Sequence, residues 1–357
     1  MEHAIPPQQQ PMLPPLPRVG SYLCGDRFRV LGILGQGGFG CVVQAIDRSN
    51  PSDVVALKVS RLRHRTREGE IDKSVLRECG ALLRLSACPG VARLREVVLT
   101  EDAAFLVMNA EHGTLRRYVS DFRGLLAPAA VLGIAGELLR AICAVHDAAL
   151  VHRDIKPDNV LCDRYGCNLR LADFGMARVR RDRDMSPGVT TFAYRAPEVP
   201  VCDGWPRTDL LSPDVRVTLC YDPPYGEKID VWGAGCVIAE VYTKRELTIS
   251  TYVEALRQAG AQTALLHSVD LAMAEEGVPA DRLLALEHHR HRLRRQIDGM
   301  SPSYDELSDI VRTQVGAHLT KRWPPNMGIV HFLTALLDTD PNRRPSARQA
   351  LELLQGV

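Results

Sequence analysis

The residues best suited to chemistry in this chain lie together in Val151-His152-Arg153-Asp154-Ile155-Lys156-Pro157-Asp158-Asn159. Asp154, Lys156 and Asn159 place a carboxylate, an ammonium and a side-chain amide on one loop, the latter two at +2 and +5 from the aspartate. Such a set can accept a hydroxyl proton, steady a phosphate and hold a metal ion. A chance loop would carry the same residues, so the reading depends on what the rest of the chain supplies.

Three other segments supply counterparts. Gly35-Gln36-Gly37-Gly38-Phe39-Gly40-Cys41-Val42 lies between two strand-like runs, and glycines let backbone approach phosphate oxygens with no Cβ in the way. A lone G-x-G-x-x-G also fits a dinucleotide-binding turn, but that turn runs from strand to helix and this one from strand to strand. An ordinary Gly-rich hairpin stays open as the alternative. Val55-Ala56-Leu57-Lys58 sets a lysine in an apolar run, where an unpaired ammonium is costly. It either meets a carboxylate such as Glu78 on the following helix or snorkels to solvent. Asp173-Phe174-Gly175 follows the strand-like Leu169-Arg170-Leu171. A carboxylate at a strand end before a flexible glycine suits Mg²⁺, which takes one or two carboxylates plus substrate phosphates.

The elements that must position these groups show in the periodicity. Five short strand-like runs, Phe28–Leu34, Val42–Ile46, Val54–Val59, Arg95–Leu99 and Phe105–Met108, are rich in Val, Ile, Leu and Phe. A helical stretch from about Asp72 to Ser86 interrupts them, with Val75, Leu82 and Leu85 at helical spacing. Beyond Gly113 the period is helical. Ile134, Leu138, Ala141, Ile142 and Val145 mark a long helix, and Val231 to Val241 is apolar on every side. Residues 281–297 carry a Leu283, Leu286, Leu293, Ile297 stripe, and Leu333, Leu336 and Leu337 open a last helical region. The expectation is an antiparallel sheet with one helix followed by a larger, mainly α part, with no internal repeat. The first 25 residues, with prolines at 6, 7, 11, 14, 15 and 17, read as an extended leader, and Pro14 to Arg18 would also suit an SH3-type ligand.

Composition narrows the classes. With 357 residues and 45% apolar content the chain can bury a large core. Lys+Arg number 44 against 43 Asp+Glu, so global charge does not call for nucleic acid or membrane. The ten cysteines lack paired metal-ligand spacing and read as reduced, intracellular thiols. There is no run of 18 uninterrupted apolar residues and no apolar segment of signal type near the N-terminus.

In order along the chain these motifs resemble those of the eukaryotic-type serine/threonine protein kinases, from about residue 26 to the end. Ala196-Pro197-Glu198, Asp230-Val231-Trp232-Gly233-Ala234-Gly235 and Asp340-Pro341-Asn342-Arg343-Arg344-Pro345 complete the series. The resemblance implies an α+β, bilobal kinase fold, with a small lobe over 26–110, a large lobe over 111–357 and insertions at about 200–228 and 244–322. It implies ATP and Mg²⁺ as cofactors and a protein Ser/Thr as acceptor. Asp154 and Lys156 would be catalytic, and Asn159 and Asp173 would hold the metal. Gly35, Gln36, Gly37, Gly38, Phe39, Gly40, Val42, Ala56, Lys58, Glu78, Leu161 and the backbone of Asn109 and Glu111 would receive ATP. Arg344 would pair with Glu198. A pseudokinase scaffold is the alternative, set against the presence of Lys58, Glu78, Asp154, Asn159 and Asp173.

The segment Val189 to Glu198 resembles the branch of cyclin-dependent and MAP kinases, in which Arg195 would shape a pocket for proline after the acceptor. Ser186 would be an activating phosphosite for an upstream kinase, with Arg77, Arg153 and Arg178 gathering its phosphate. The competing partners for these arginines are Asp182, Asp184 and solvent. Departures are Asn109, Thr114 where an acidic residue holds the ribose, and Lys73-Ser74-Val75-Leu76-Arg77-Glu78, which does not match a cyclin-contacting helix; a cyclin is therefore not implied. Neither nucleic acid nor membrane is expected as a partner. The basic runs 61–67 and 287–295 read as solvated surface.

Overall fold

A computed structural model describes residues 17–37, 40–61, 73–100, 103–180, 191–199, 225–247, 269–270, 273–274, 278–298, 304–322 and 324–357. It divides into two compact units, residues 1–72 with 94–110, and residues 73–93 with 111–357.

The first unit is a six-stranded antiparallel sheet. Its strands are β1 (Tyr22–Leu23), β2 (Phe28–Gly37), β3 (Gly40–Asp47), β4 (Val54–Arg61), β5 (Leu94–Leu99) and β6 (Ala103–Asn109), in the order β1-β2-β3-β4-β6-β5. Period-two alternation sorts the side chains. Phe28, Val30, Cys41, Val43, Ala45, Val55, Leu57, Val59, Phe105 and Val107 form one apolar core, and burying each large member contributes about 1.5–3 kcal/mol. Val42, Ala56 and Lys58 therefore point to the opposite face. The pairing of Tyr22 with Arg29 and Leu23 with Phe28 lies inside the stretch expected to be leader to residue 25. Prolines mark only its earlier part, so the short strand carried no local signal.

The second unit contains α1 (Lys73–Arg84), α2 (Leu115–Asp121), α3 (Pro128–Asp147), α4 (Lys228–Thr243), α5 (Ala280–Asp298), α6 (Tyr304–Leu319), α7 (Met327–Leu336) and α8 (Ala347–Leu354). Within this unit α1 packs on the 3-10 turn Phe174–Met176. α4 is the hub. From Ile229 to Thr243 all its residues are buried, and it packs on α3, α6 and α7. α3 is long and apolar enough to cross a membrane by length and composition, yet its apolar residues pack on α4 and α8. In α5, Leu286, His289 and Leu293 are buried while His288, His291, Arg292, Arg294 and Arg295 are exposed, so the basic run is solvated on one side and buried at His289. The basic run at 61–67 lies outside the described residues apart from Arg61.

Five short strands finish the second unit: β7 (Gly113–Thr114), β8 (Leu150–Val151), β9 (Val160–Cys162), β10 (Arg170–Leu171) and β11 (Arg178–Val179). β10-β9-β7 form one small sheet and β11-β8 another. The loop 152–159 runs from β8 to β9, so both its ends are fixed by strand pairing.

Candidate active site

Asp230, in the first turn of α4, shapes the loop. Its Oδ2 accepts the His152 backbone N–H at 2.8 Å and its Oδ1 that of Arg153 at 2.8 Å. His146 of α3 reaches the same carboxylate at 3.0 Å. These bonds hold Arg153 at φ +69°, a conformation few non-glycine residues adopt without support. Burial works to raise the Asp230 pKa, but the hydrogen bond and charge of His146, the charge of His152 and the Arg153 N–H outweigh it, and the net direction is down. A carboxylate at the positive end of α4 is favourable for the same reason. Close approach completes the support. A Cβ on Gly233 of α4 would lie 2.9 Å from the Ile155 Cβ and 3.1 Å from the Ile155 carbonyl oxygen.

The side chains of the loop converge. Lys156 Nζ donates to Asp154 Oδ2 at 2.7 Å, and Asn159 Nδ2 donates to the same oxygen at 2.9 Å and to the Asp154 carbonyl at 2.8 Å. Asp154 Oδ1 accepts the backbone N–H and the hydroxyl of Thr191, both at 3.0 Å. Lys156 also donates to Thr191 Oγ1 at 2.8 Å. Thr191 is thus a further member of this hydrogen-bonded set, and nothing local in the sequence says that its hydroxyl meets Asp154.

Asp173 comes beside Asn159 through the chain itself. The Ala172 N–H donates to the Asn159 carbonyl at 2.9 Å, and Asp173 follows in the left-handed region at φ 63°. A Cβ on Gly175 would lie 3.4 Å from Asp173 Oδ1 and 3.9 Å from Glu78 Oε2. The carboxylate of Glu78, buried on α1, is thus brought to the Asp173-Phe174-Gly175 turn. Phe174 packs against the His152 ring, with centroids 4.6 Å apart and the ring planes tilted by 58°.

Of the other expected residues, Gly35, Gln36, Gly37, Gly40 and Val42 form the β2–β3 hairpin, with Gly37 opposite Gly40 and Gln36 opposite Cys41. Gly38 and Phe39 lie outside the described residues. Gly40 has φ +138°, and a Cβ there would stand 2.0 Å from the Val59 carbonyl oxygen, so only glycine closes this hairpin. Lys58 pairs in register with Val42 and Leu106, and Ala56 with Gln44 and Met108. Lys58 is buried, which removes the snorkelling alternative. Asn109 ends β6, its side chain taking a 2.6 Å bond from Arg95 Nε. In the second unit Glu111 is bridged to Arg170 at 2.9 Å, and burial still raises its pKa against that attraction. Leu161 pairs with Thr114 and Arg170. Thr114 uses its hydroxyl as the N-cap of α2, accepting the Arg117 N–H at 3.3 Å.

Arg153, Arg178 and Arg77 come together. β11 pairs Arg178 with Val151, the residue before the loop. Arg77 and Arg178, with Arg84, Leu150 and Val179, line a cavity of about 460 Å³. Arg153 is fully buried, donating to the Met176 carbonyl at 2.7 Å and to the Tyr225 hydroxyl at 3.1 Å. Its pKa is pushed down, first by burial and then by the charges of Arg178 and Arg77. Ser186, Asp182 and Asp184 lie outside the described residues. Arg195 is buried. Arg344 meets Glu198 with two bonds, at 2.5 and 3.0 Å, as the sequence led one to expect.

The chain is similar to known proteins along nearly its whole length. The model of the protein kinase domain matches residues 28–353. Cyclin-dependent kinase 10 of Homo sapiens is 28% identical over 352 residues, covering 95% of this chain and 82% of that protein. Cell division control protein 2 homolog D of Antirrhinum majus is 30% identical over 347 residues, covering 92% of this chain and 93% of that one. A solved structure, the CAK complex from Chaetomium thermophilum bound to ATP-gamma-S, superposes with a TM-score of 0.59 at 25% identity, over 91% of this chain and 90% of that chain. This chain belongs to the protein kinase family and has its fold, as a serine/threonine kinase with cyclin-dependent kinases among its relatives.

Proposed function

We propose that this kinase transfers the γ-phosphate of ATP, with Mg²⁺, to Ser or Thr of protein substrates, and that phosphorylation of its own segment switches it on. The carrying observation is the hydrogen-bonded set Asp154, Lys156, Asn159 and Thr191. Asp154 receives the proton of the acceptor hydroxyl as its oxygen bonds to phosphorus and the bond from the γ-phosphorus to the bridging oxygen breaks. Lys156, already hydrogen-bonded beside Asp154, offsets charge on the transferring group. Asn159 spends its amide N–H on Asp154, which leaves its amide oxygen for another partner. With Asp173 alongside, this all-oxygen donor set fits Mg²⁺. Mg²⁺, when bound, neutralises phosphate charge. In the first unit the Gly40 hairpin, Val42, Ala56 and Lys58 present backbone, apolar surface and one ammonium to the nucleotide.

Two finer readings go with it. Arg195 favours proline after the acceptor. Arg77, Arg153 and Arg178 concentrate positive charge, which a phosphate on Ser186 would balance with charge-assisted bonds. The test is a peptide-library phosphorylation assay with Asp154→Asn as control. We expect incorporation onto Ser/Thr peptides, enriched for proline, and a loss of roughly 10²–10⁴-fold in the variant, the size of a missing general base. Near-normal kcat in Asp154→Asn would remove the assignment.

A further inference from the structure

In the first unit, β5 and β6 pair out of step at one place. Leu94 stands opposite Met108 and Glu96 opposite Val107, so Arg95 is the extra residue of a β-bulge. A bulge re-aims the side chain it carries. Here Arg95 reaches the end of β6, where its Nε donates to Asn109 Oδ1 at 2.6 Å. Nη1 of the same guanidinium meets Asp53 Oδ2, in the turn before β4. That turn is itself closed, with the Asp53 N–H on the Asn50 carbonyl at 2.8 Å and the Asp47 N–H on the Asp53 carbonyl at 3.2 Å. The end of β6 is where such a tie matters. Pairing with β5 stops at Met108, one residue short of Asn109, whereas pairing with β4 continues to Val55 opposite Asn109. On the β5 side the Arg95 side chain takes over from the backbone ladder.

We infer that Arg95 is a positioning residue for the nucleotide, holding the backbone of Asn109 in place before ATP arrives; this rests on the proposed reading of that backbone as part of the ATP site. Backbone that must be ordered at the moment of binding subtracts from affinity, and backbone already held does not. Two staggered torsions separate the Asn109 amide from its Cα, so fixing Oδ1 narrows the conformations open to the residue. The planar guanidinium suits the task because its fork of donors serves two acceptors at once. Asp53 keeps the fork from swinging to solvent, and the charge on Arg95 strengthens its bond to the neutral amide. Arg95 itself touches no reacting atom, so its effect falls on nucleotide affinity and not on the transfer step.

The test measures the Kd of ATP by calorimetry on the full chain, for the wild type, Arg95→Ala, Arg95→Met, which keeps the apolar stem, Asn109→Ala, and the double variant Arg95→Met with Asn109→Ala. KM for ATP, KM for a Ser peptide, kcat and Tm are read on the same preparations. We expect Kd and KM for ATP to rise about three- to tenfold in both Arg95 variants, the size of a charge-assisted hydrogen bond partly open to water. Peptide KM and kcat at saturating ATP should stay within about twofold, as for a loss of uniform binding. The double variant should match Asn109→Ala, because both changes remove the same bond. Arg95→Lys, which keeps a charged donor, should recover part of the affinity. Unchanged Kd in the Arg95 variants, losses that multiply in the double variant, or peptide KM and kcat moving as far as the Kd would each overturn the inference. If Arg95→Ala does not fold, Arg95→Met decides; failure of both to fold would make Arg95 a structural tie and equally overturn it. A wild type that binds ATP while every Arg95 variant binds it alike removes this inference alone, whereas a wild type that does not bind ATP removes the reading of the site with it.

Discussion

Each oxygen of Asp154 accepts two hydrogen bonds, so its orientation is set from both sides before any acceptor arrives. Thr191 is the partner that sits on both Asp154 and Lys156. Thr191→Ser should keep most activity, whereas Thr191→Val, of similar size without the hydroxyl, should lower kcat by about tenfold or more, the cost of a misplaced catalytic pair. Steady-state kinetics on one peptide compares the two. Asp230 gives a prediction in pH. A folded pKa held below the ordinary value means stability that is fully present above the unfolded carboxylate pKa and lost as pH falls through the folded one. Asp230→Asn should therefore destabilise the chain at neutral pH, and its difference from wild type should shrink below about pH 4. Urea unfolding at several pH values reads this out; a difference that is constant with pH would contradict it. At this scale Asp154, Lys156 and Asn159 were legible from type and spacing. Thr191, and Asp230's two bonds to the loop, were not, because hydrogen bonds across 37 and 77 residues leave no local pattern.

Most elements with a strong period were legible. β2 to β6, α1, α3, α4, α5 and α7 follow alternation or helical spacing, because each has one buried face or, in α4, is buried all round. α2 and α6 passed unnoticed although each has a buried stripe at helical spacing, Leu115 and Val119 in α2 and Val311, Val315 and Leu319 in α6. α8 did have a signal, the Ser346-x-x-Gln349 capping box, with Gln349 N–H to Ser346 Oγ at 3.2 Å and Ser346 N–H to Gln349 Oε1 at 2.8 Å. Contact between elements carries a sharper test. Gly233 lets α4 approach Ile155, so Gly233→Ala should push the loop away, costing about 1–3 kcal/mol through overpacking and lowering kcat as well. Thermal unfolding and kinetics on the same preparation check both effects; unchanged kcat would mean that the loop does not depend on this approach.

For the whole molecule, Arg344 ties distant segments together. It holds Glu198, the Asp338 and Lys228 carbonyls, and the face of Trp232 at 5.1 Å. Breaking a buried pair by removing one partner costs about 3–5 kcal/mol, so Arg344→Ala should lower stability by that order in denaturant unfolding. The arginine cluster carries the prediction for the proposed phosphosite, Ser186. If phosphate there switches the chain, Ser186→Ala should lack the activated state and mass spectrometry should find phosphate on Ser186 in the active wild type. Full activity of the variant with no phosphate at that position would dismiss the switch.

By itself the sequence determined the family and the order of the motifs, because these depend on residue type and near spacing. Only the tertiary structure decided which groups meet: Thr191 on Asp154, Glu78 at the turn of Asp173, and Arg116 between Asp158 and Glu240. Such meetings depend on how buried faces pack and on which buried charges find partners. That is settled by long-range geometry and not by neighbours along the chain.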